Sequence, residues 1–362
     1  AQGDIWMDIN GGAFGIIAGG VTNEWSTNLQ TSTLTGDTHV QLSGNATAEH
    51  VIGGNNKGAS TTLTGNTNVT VKDNAIVAGA IIGGSTSAHN AVTTITGNTS
   101  VLVTNVQYSN TAQNLDGGLS NSYIIGGSSW SSNTTSGTTI QGSTSATINL
   151  NGITLSGTEE HNSFVKTIIG GSYGNVNNAG TVNNINGDTS VSIIGREGIT
   201  FTGDIIGGSF ENSGQAQYTI GGNSSISISG GSTFTGNIYG GSYSKVPGNT
   251  GSTMTTAGNI TVELGTGAYL GDIYGAGNCG TAGGDVLVSL TGGSVFGAEG
   301  EQSGITIGGS AGAAVEGNRT LELKGTFGTG DFQNVTFTRF DEINIAQEGA
   351  SATIYALTDS PA

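Results

Sequence analysis

Cysteine, proline and basic residues are rare in this sequence. Its 362 residues include one cysteine, Cys279, two prolines, and eight lysines and arginines in total. A single thiol excludes an intrachain disulfide framework and a thiolate metal cluster. At a formal net charge of −17, the chain has too few cations for the phosphate contacts on which nucleic-acid affinity depends. We therefore expect no nucleic-acid partner and no attraction to an anionic membrane surface.

Long apolar runs are missing as well. No segment approaches the roughly 20 consecutive apolar residues that a membrane-spanning helix requires. Glycine supplies 66 residues, and Ser, Thr and Asn fill much of the remainder. Without periodicity, such a composition would be typical of a disordered chain.

A repeated turn overrides that compositional signal. Gly followed by Asn or Asp, or by Ser143 in one copy, precedes an alternating apolar strand nine times, and an Ile-Ile-Gly-Gly-Ser-like segment stands before each turn. Units this small cannot bury an apolar face alone, but stacked units share one interior. The repeat therefore predicts a solenoid. The turns begin at Gly36, Gly65, Gly97, Gly142, Gly187, Gly222, Gly258, Gly284 and Gly317.

Alternation within each unit predicts which side chains point inward. In the second copy these are Leu63, Val69 and Val71, since every second residue of a strand lies on one face. A third short segment, such as Phe201-Thr202-Gly203-Asp204, precedes several Ile-Ile pairs, which gives at least three strands per coil. We predict an all-β fold, a single-stranded right-handed parallel β-helix of about nine or more coils. The equivalent inward sets are Ile95, Val101 and Val103; Ile185, Val191 and Ile193; and Ile220, Ile226 and Ile228.

Changes of pattern at both ends suggest caps on this rod. The β-helical repeats are predicted to occupy residues 1–323, with an N-terminal cap at about residues 1–15, and residues 324–362 are predicted to form C-terminal capping strands. Caps are needed because exposed strand edges promote end-to-end association. The expected capping side chains are Ile5, Trp6, Met7 and Ile9 at the N-terminal end and Phe327, Phe332, Phe337 and Phe340 at the other end.

The ionisable residues do not form a recognisable catalytic set. A glycosidase requires two carboxyl groups about 5 to 9.5 Å apart across a cleft. Glu159 and Glu160 are adjacent in a polar insertion, while Asp37, Asp188 and Asp285 take the corner position that Asn fills elsewhere. Turn chemistry explains these aspartates better than acid catalysis does. The four histidines are dispersed without zinc-ligand spacing, so no catalytic residue, metal site or cofactor is expected.

The second residue of each Ile-Ile or Ile-Tyr pair is the candidate binding element. If the first residue faces inward, the second faces outward, and stacking aligns the outward residues into a ladder. An uncovered ladder would be a docking surface for a partner chain or for saccharide rings. A ladder covered by neighbouring loops would be buried, and the sequence leaves both arrangements open. The predicted members are Ile52, Ile82, Ile125, Ile169, Ile206, Tyr239 and Tyr274.

The repeats, the acidic Gly/Ser/Thr/Asn composition and the segment Phe340-Asp341-Glu342-Ile343-Asn344-Ile345 together resemble bacterial autotransporter passenger domains and related surface adhesins. The resemblance covers nearly the whole chain and implies an extracellular location on the bacterial outer surface. In that family a following C-terminal translocator exports the passenger. Contact with a membrane is expected only through that domain, which is missing from this sequence.

The expected function is therefore structural and adhesive. A secreted or surface-displayed rod would present its lateral face and loops to host glycans, to a matrix protein or to other copies of itself. The alternative is a polysaccharide lyase or glycoside hydrolase with a lateral groove on the β-helix. Acidic residues that adjacent coils bring together would favour the enzyme, and scattered ones would count against it.

Overall fold

A computed structural model of the chain describes residues 2–22, 31–56, 61–87, 92–105, 123–131, 137–152, 163–164, 166–175, 181–212, 216–247, 253–298, 304–328, 330–345 and 357–358. All of its paired strands are parallel. None of the described residues belongs to a helix that is long and apolar enough to cross a membrane.

One coil of the chain passes through as many as five sheets, which we number in the order in which the coil meets them. From Ile205–Ile206 in sheet 1 the chain runs to Phe210–Glu211 in sheet 2, Gln217–Ile220 in sheet 3, Ser224–Ser229 in sheet 4 and Thr233–Phe234 in sheet 5. It then re-enters sheet 1 beside its starting strand. Such stacking of each coil on the one before it is a parallel β-helix, as the repeat predicts. The right-handed sense stays a prediction from the chirality of parallel crossovers.

The strands of each sheet occupy equivalent positions in successive coils. Sheet 1 has twelve strands: Ala13–Ala18, Thr47–Ile52, Ile76–Val77, Ile81–Ile82, Tyr123–Ile125, Thr167–Ile169, Ile205–Ile206, Ile238–Tyr239, Ile273–Ala276, Ile305–Ser310, Val335–Thr338 and Leu357–Thr358. Sheet 2 has five: Thr86–Ser87, Ser129–Ser131, Tyr173–Asn175, Phe210–Glu211 and Tyr243–Ser244. Sheet 3 has nine: Ser32–Thr35, Thr61–Thr64, Val92–Ile95, Gly137–Ile140, Val182–Ile185, Gln217–Ile220, Thr253–Thr256, Thr281–Ala282 and Ala314–Val315.

The two remaining sheets complete the coil. Sheet 4 has eleven strands: Ile5–Ile9, Thr38–Leu42, Thr67–Lys72, Thr99–Thr104, Thr144–Asn149, Thr189–Ile194, Ser224–Ser229, Ile260–Leu264, Val286–Thr291, Arg319–Lys324 and Glu342–Ile345. Sheet 5 has five: Ser163–Phe164, Thr200–Phe201, Thr233–Phe234, Ala268–Tyr269 and Val295–Phe296.

The main core lies between sheets 1, 4 and 5. In one coil Ile205 of sheet 1, Val191 of sheet 4 and Phe201 of sheet 5 are all buried in it. The phenylalanines stack along the rod, with the rings of Phe201 and Phe234 4.9 Å apart and inclined by 14°. All twelve side chains that alternation places inside are buried, so that prediction is confirmed.

The Gly-Gly pair after each Ile-Ile strand closes this core, because the chain there passes directly over the side chains of sheets 3 and 4. A Cβ added at Gly53 would lie 2.2 Å from the carbonyl oxygen of Gly83 in the next coil and 3.2 Å from Cγ2 of Val69. One added at Gly54 would lie 2.3 Å from Oγ of Ser85 and 3.0 Å from Cδ1 of Leu63. Side chains therefore do not fit at this approach. The Thr67 hydroxyl donates to the carbonyl oxygen of Gly83 at 2.6 Å, which ties sheet 4 to the next Gly-Gly pair.

The corner residue after each turn glycine forms a continuous hydrogen-bonded ladder. The amide N–H of Asn66 donates to Oδ1 of Asp37 at 2.8 Å, and that of Asn98 donates to Oδ1 of Asn66 at 2.8 Å. Ser143 continues the series through its hydroxyl oxygen. The aspartates at this position thus have a structural role, as the sequence predicts, but they bond an amide of the next coil and not the local backbone of their own turn. The corner ladder comprises Asp4, Asp37, Asn66, Asn98, Ser143, Asp188, Asn223, Asn259, Asp285 and Asn318.

Parallel pairing continues through the predicted boundary at residue 323. The strand Val335–Thr338 pairs with Ile305–Ser310, and Glu342–Ile345 pairs with Arg319–Lys324. Three of the terminal phenylalanines are buried in the main core, and Phe332 stacks on Phe296 with ring centroids 5.3 Å apart. At the other end, Met7 and Ile9 pack against the core. Trp6 is 73% exposed, so the expectation that it caps the interior is wrong.

Candidate binding surfaces

The predicted lateral ladder is present but covered along most of its length. Its five isoleucines are at most 1% exposed. They form a second core on the other side of sheet 1, together with the aromatic residues Tyr173 and Phe210 of sheet 2. The covered arrangement is therefore the one that the protein adopts, and Ile52, Ile82, Ile125, Ile169 and Ile206 are not accessible to a ligand.

Sheet 2 provides this cover. In three coils the residue that follows the Gly-Gly-Ser segment is aromatic and packs with the ladder, namely Tyr173, Phe210 and Tyr243. The rings of Tyr173 and Phe210 are 5.4 Å apart, and those of Phe210 and Tyr243 are 5.6 Å apart. The preceding serines join successive coils here, because the amide of Ser172 donates to Oγ of Ser209 at 3.1 Å and both side chains are buried.

The ladder reaches the surface at its C-terminal end. Tyr239 is 7% exposed, whereas Tyr274 is half-buried, and their rings stack with centroids 5.6 Å apart. The Tyr274 hydroxyl donates to Oδ2 of Asp272 at 3.3 Å. Burial, followed by the negative charge of Asp272, raises the pKa of the Tyr274 phenol. Of the predicted site residues, Tyr274 is thus the most exposed.

Carboxylates from successive coils do not converge into a catalytic pair at the corner position. Asp188 Oδ1 accepts the amide of Asn223 at 2.7 Å, and Asp285 Oδ1 accepts the amide of Asn318 at 2.9 Å. The hydrogen bonds that Asp37 accepts from the backbone and side chain of Asn66 lower its pKa. No group of three or more metal-ligating side chains occurs in the part of the chain that the structure describes. Glu159 and Glu160 lie outside the described residues.

Among the side chains that the structure describes, the largest exposed aromatic one lies elsewhere, on the outer face of sheet 4. Parallel register places Trp6 beside His39 and Asp8 beside Gln41. The Trp6 indole stacks on the His39 imidazole with centroids 3.8 Å apart and an interplanar angle of 13°. Beside this pair lies a concavity of about 220 Å³, and Asn68 of the third strand forms part of its wall.

Hydrogen bonds hold the polar side chains of this surface in place. Gln41 Nε2 donates to Oδ1 of Asp8 at 2.9 Å. Ser100 Oγ donates to Oδ1 of Asn68 at 2.7 Å, and this contact turns Nδ2 of Asn68 toward Nδ1 of His39, 3.5 Å away. The surface therefore offers an aromatic face together with both donors and acceptors.

The sequence contains a signal for this surface. In Ile5-Trp6-Met7-Asp8-Ile9 the strand period of two puts Trp6 and Asp8 on the face opposite the three apolar residues. The alternation thus indicates two outward side chains on this strand, which a cap formed by the whole segment does not account for. The neighbours of Trp6 follow only from the register, since His39 is 33 positions away in the chain.

A buried lysine is the clearest electrostatic feature away from the surface. Lys166 is 4% exposed, and its Nζ donates to the carbonyl oxygen of Ala78 at 3.1 Å and to that of Gly79. These acceptors lie two coils away along sheet 1. No described carboxylate forms an ion pair with Lys166, and burial lowers its pKa from 10.5 to about 8.

Comparison with protein-family models, with curated proteins and with solved structures gave no match to this chain. Its class is therefore defined by its architecture, that of a parallel β-helix solenoid.

Proposed function

We propose that this chain is a secreted or surface-displayed structural and adhesive rod, located on the outer surface of a bacterium. Its lateral faces and loops would bind host glycans, a matrix protein or other copies of the same chain. The resemblance to autotransporter passenger domains and surface adhesins is consistent with this role. The export route would be a C-terminal translocator outside the present sequence.

The corner ladder is the observation that carries the proposal. It links ten successive coils by hydrogen bonds between a backbone amide and a side-chain oxygen, from Asp4 to Asn318. Coils joined in this way keep one register, and in-register coils repeat any lateral feature about every 4.8 Å. A scaffold of this kind suits the presentation of surface side chains.

The same ladder weakens the enzyme alternative. Its aspartates accept backbone amides from the next coil, so each has a structural role. A glycoside hydrolase would instead need two carboxyl groups that face each other across a substrate groove. Turnover of pectin, alginate or mucin glycans by the purified chain would overturn the adhesive assignment, and inactivity on all three would support it.

Binding of the intact chain tests the proposal directly. Fluorescently labelled protein should bind a subset of an array of host glycans and immobilised matrix proteins saturably, or should sediment as a concentration-dependent oligomer. A protein that binds neither array and sediments as a monomer at every concentration would refute the adhesive role.

A further inference from the structure

We infer that the surface formed by Trp6, Asp8, His39, Gln41 and Asn68 is a binding site for an uncharged saccharide ring. This inference rests on the proposed adhesive function and specifies where on the rod a glycan would bind and of which chemical class it would be. These five residues are referred to below as the Trp6 surface.

The aromatic component of the Trp6 surface is exposed and already ordered. Trp6 is 73% exposed, although an apolar ring of this size is usually at least partly covered. Stacking on His39 at 3.8 Å fixes the indole before any ligand arrives. An aromatic side chain with few torsions loses little conformational entropy on binding, and a preorganised one loses less.

The face of a pyranose ring complements such an indole. Its C–H groups carry partial positive charge and are attracted to the negative face of an aromatic ring, while its hydroxyl groups point outward around the rim. Because His39 covers one face of the indole, the opposite face is the one that a sugar can cover, and the polar rim groups of the Trp6 surface are the Asp8 carboxylate and the Gln41 amide. Asp8 accepts one hydrogen bond at Oδ1, from Gln41, and no described residue donates to Oδ2, so that oxygen is available to a hydroxyl donor.

Charge and size restrict the ligand further. The chain has a formal net charge of −17 and Asp8 lies within the site, so uronate and sialyl groups would meet electrostatic repulsion. The concavity of about 220 Å³ is smaller than the roughly 300 Å³ from which pockets for drug-sized ligands begin. It therefore suits one sugar unit of a longer glycan, with the adjoining units lying along the outer face of sheet 4.

Titration of the intact chain with defined oligosaccharides tests the site. The probes are cellotetraose, chitotetraose and mannotetraose, with tetragalacturonate as the anionic comparison. The Nε1–H resonance of Trp6, assigned by its loss in Trp6→Tyr, should shift saturably with at least one neutral probe and should not shift with the anionic one. Trp6→Ala should weaken that binding at least tenfold, Trp6→Tyr should retain most of it, and Asp8→Asn should weaken it severalfold.

Phe14 provides the matched control, because it is also an exposed aromatic residue at 41% exposure but lies on sheet 1. Phe14→Ala should leave the affinity unchanged, and circular dichroism should show that all variants keep the β-helix. The inference is overturned if no neutral probe shifts the Trp6 resonance, if the anionic probe binds equally well, or if Trp6→Ala binds like the wild type.

The array experiment separates failure of this site from failure of the proposed function. Glycan binding that persists in Trp6→Ala would leave the adhesive role in place and remove the Trp6 surface. A wild-type oligomer that dissociates in Trp6→Ala, without any saccharide binding, would identify a second copy as the occupant and overturn the inference. Loss of glycan binding in Trp6→Ala but not in Phe14→Ala would support both conclusions.

Discussion

Replacement of the buried lysine, Lys166→Met, should change how the stability of this protein depends on pH. The ammonium group lies in the protein with two backbone carbonyl groups as its acceptors. Burial disfavours the charged form, and the pKa falls from 10.5 to about 8. At about 1.4 kcal/mol for each factor of ten in proton affinity, the charged state destabilises the fold by roughly 3 kcal/mol.

The direction of the pH effect follows from proton binding. Between about pH 8 and pH 10.5 the unfolded chain binds more protons at Lys166 than the folded chain does, so this residue makes stability rise with pH. The destabilisation is fully present below about pH 8 and disappears above the unfolded value. From about pH 7 to about pH 9.5, the wild type should gain roughly 2 kcal/mol relative to Lys166→Met.

Urea unfolding of both proteins at these two pH values measures the difference, and the comparison cancels the titration of tyrosines common to both. Lys245→Met is the control, because Lys245 is exposed, and its pH profile should parallel that of the wild type. An NMR titration of the lysine Cε resonances should place the pKa of Lys166 near 8. Parallel profiles for wild type and Lys166→Met, or a resonance that titrates near 10.5, would refute the burial argument.

Two further substitutions and one chemical modification test the burial of Tyr239, the burial of Cys279 and the corner ladder. Tyr239→Asp should reduce the free energy of unfolding by roughly 3 kcal/mol or more, measured by thermal melts, because it places a carboxylate where a 7% exposed ring packs. Burial raises the pKa of the Cys279 thiol from 9.0 to about 11, so alkylation at neutral pH should be about 100-fold slower than for an unfolded control. Asn98→Ala removes the acceptor of the Ser143 amide and should cost about 1 kcal/mol, with faster hydrogen exchange at Ser143.

Each of these three predictions has a control or a result that would contradict it. Tyr239→Phe should remain close to wild type, and an unchanged melting temperature for Tyr239→Asp would contradict burial of the ladder. Rapid alkylation of folded protein would show that the Cys279 thiol is accessible and ionised. Asn45→Ala, at an exposed asparagine outside the corner ladder, should have little effect, and equal losses for Asn45→Ala and Asn98→Ala would argue against the ladder as a stabilising device.

The fold was predictable because its signals are local and repeated. Gly36 and Gly65 adopt φ values of +125° and +147°, a region that favours glycine. At a later corner the neighbouring coil leaves no room for a side chain, because a Cβ added at Gly97 would lie 2.4 Å from the carbonyl oxygen of Gly65. The alternation of the strand that follows places Val69 and Val71 in the interior of the coil, and this holds without knowledge of the neighbouring coils. Nine copies of one turn and one strand leave few architectures other than a stacked solenoid.

Whether the lateral ladder is exposed or covered could not be predicted from local signals. Whether Ile206 is exposed depends on the path of the chain after the Gly-Gly pair. The strand that covers it, Phe210–Glu211, has two residues and therefore no periodicity from which its direction could be inferred. Phe210 and Ile206 are buried in the same core. Their contact depends on the path of the whole coil and cannot be inferred from either strand alone.

The sequence alone determined the parallel β-helix and its inward side chains, because the repeat period and strand alternation are signals between near neighbours. The corner aspartates were recognisable as structural residues, but their partners are amides of the next coil, which only the stacking of coils supplies. Tertiary structure decided which outward residues remain accessible and which distant residues meet. It brought Trp6 onto His39 and the Lys166 ammonium onto the carbonyl of Ala78. Such pairs depend on register between coils, and register is set by all the stacked contacts of a coil together.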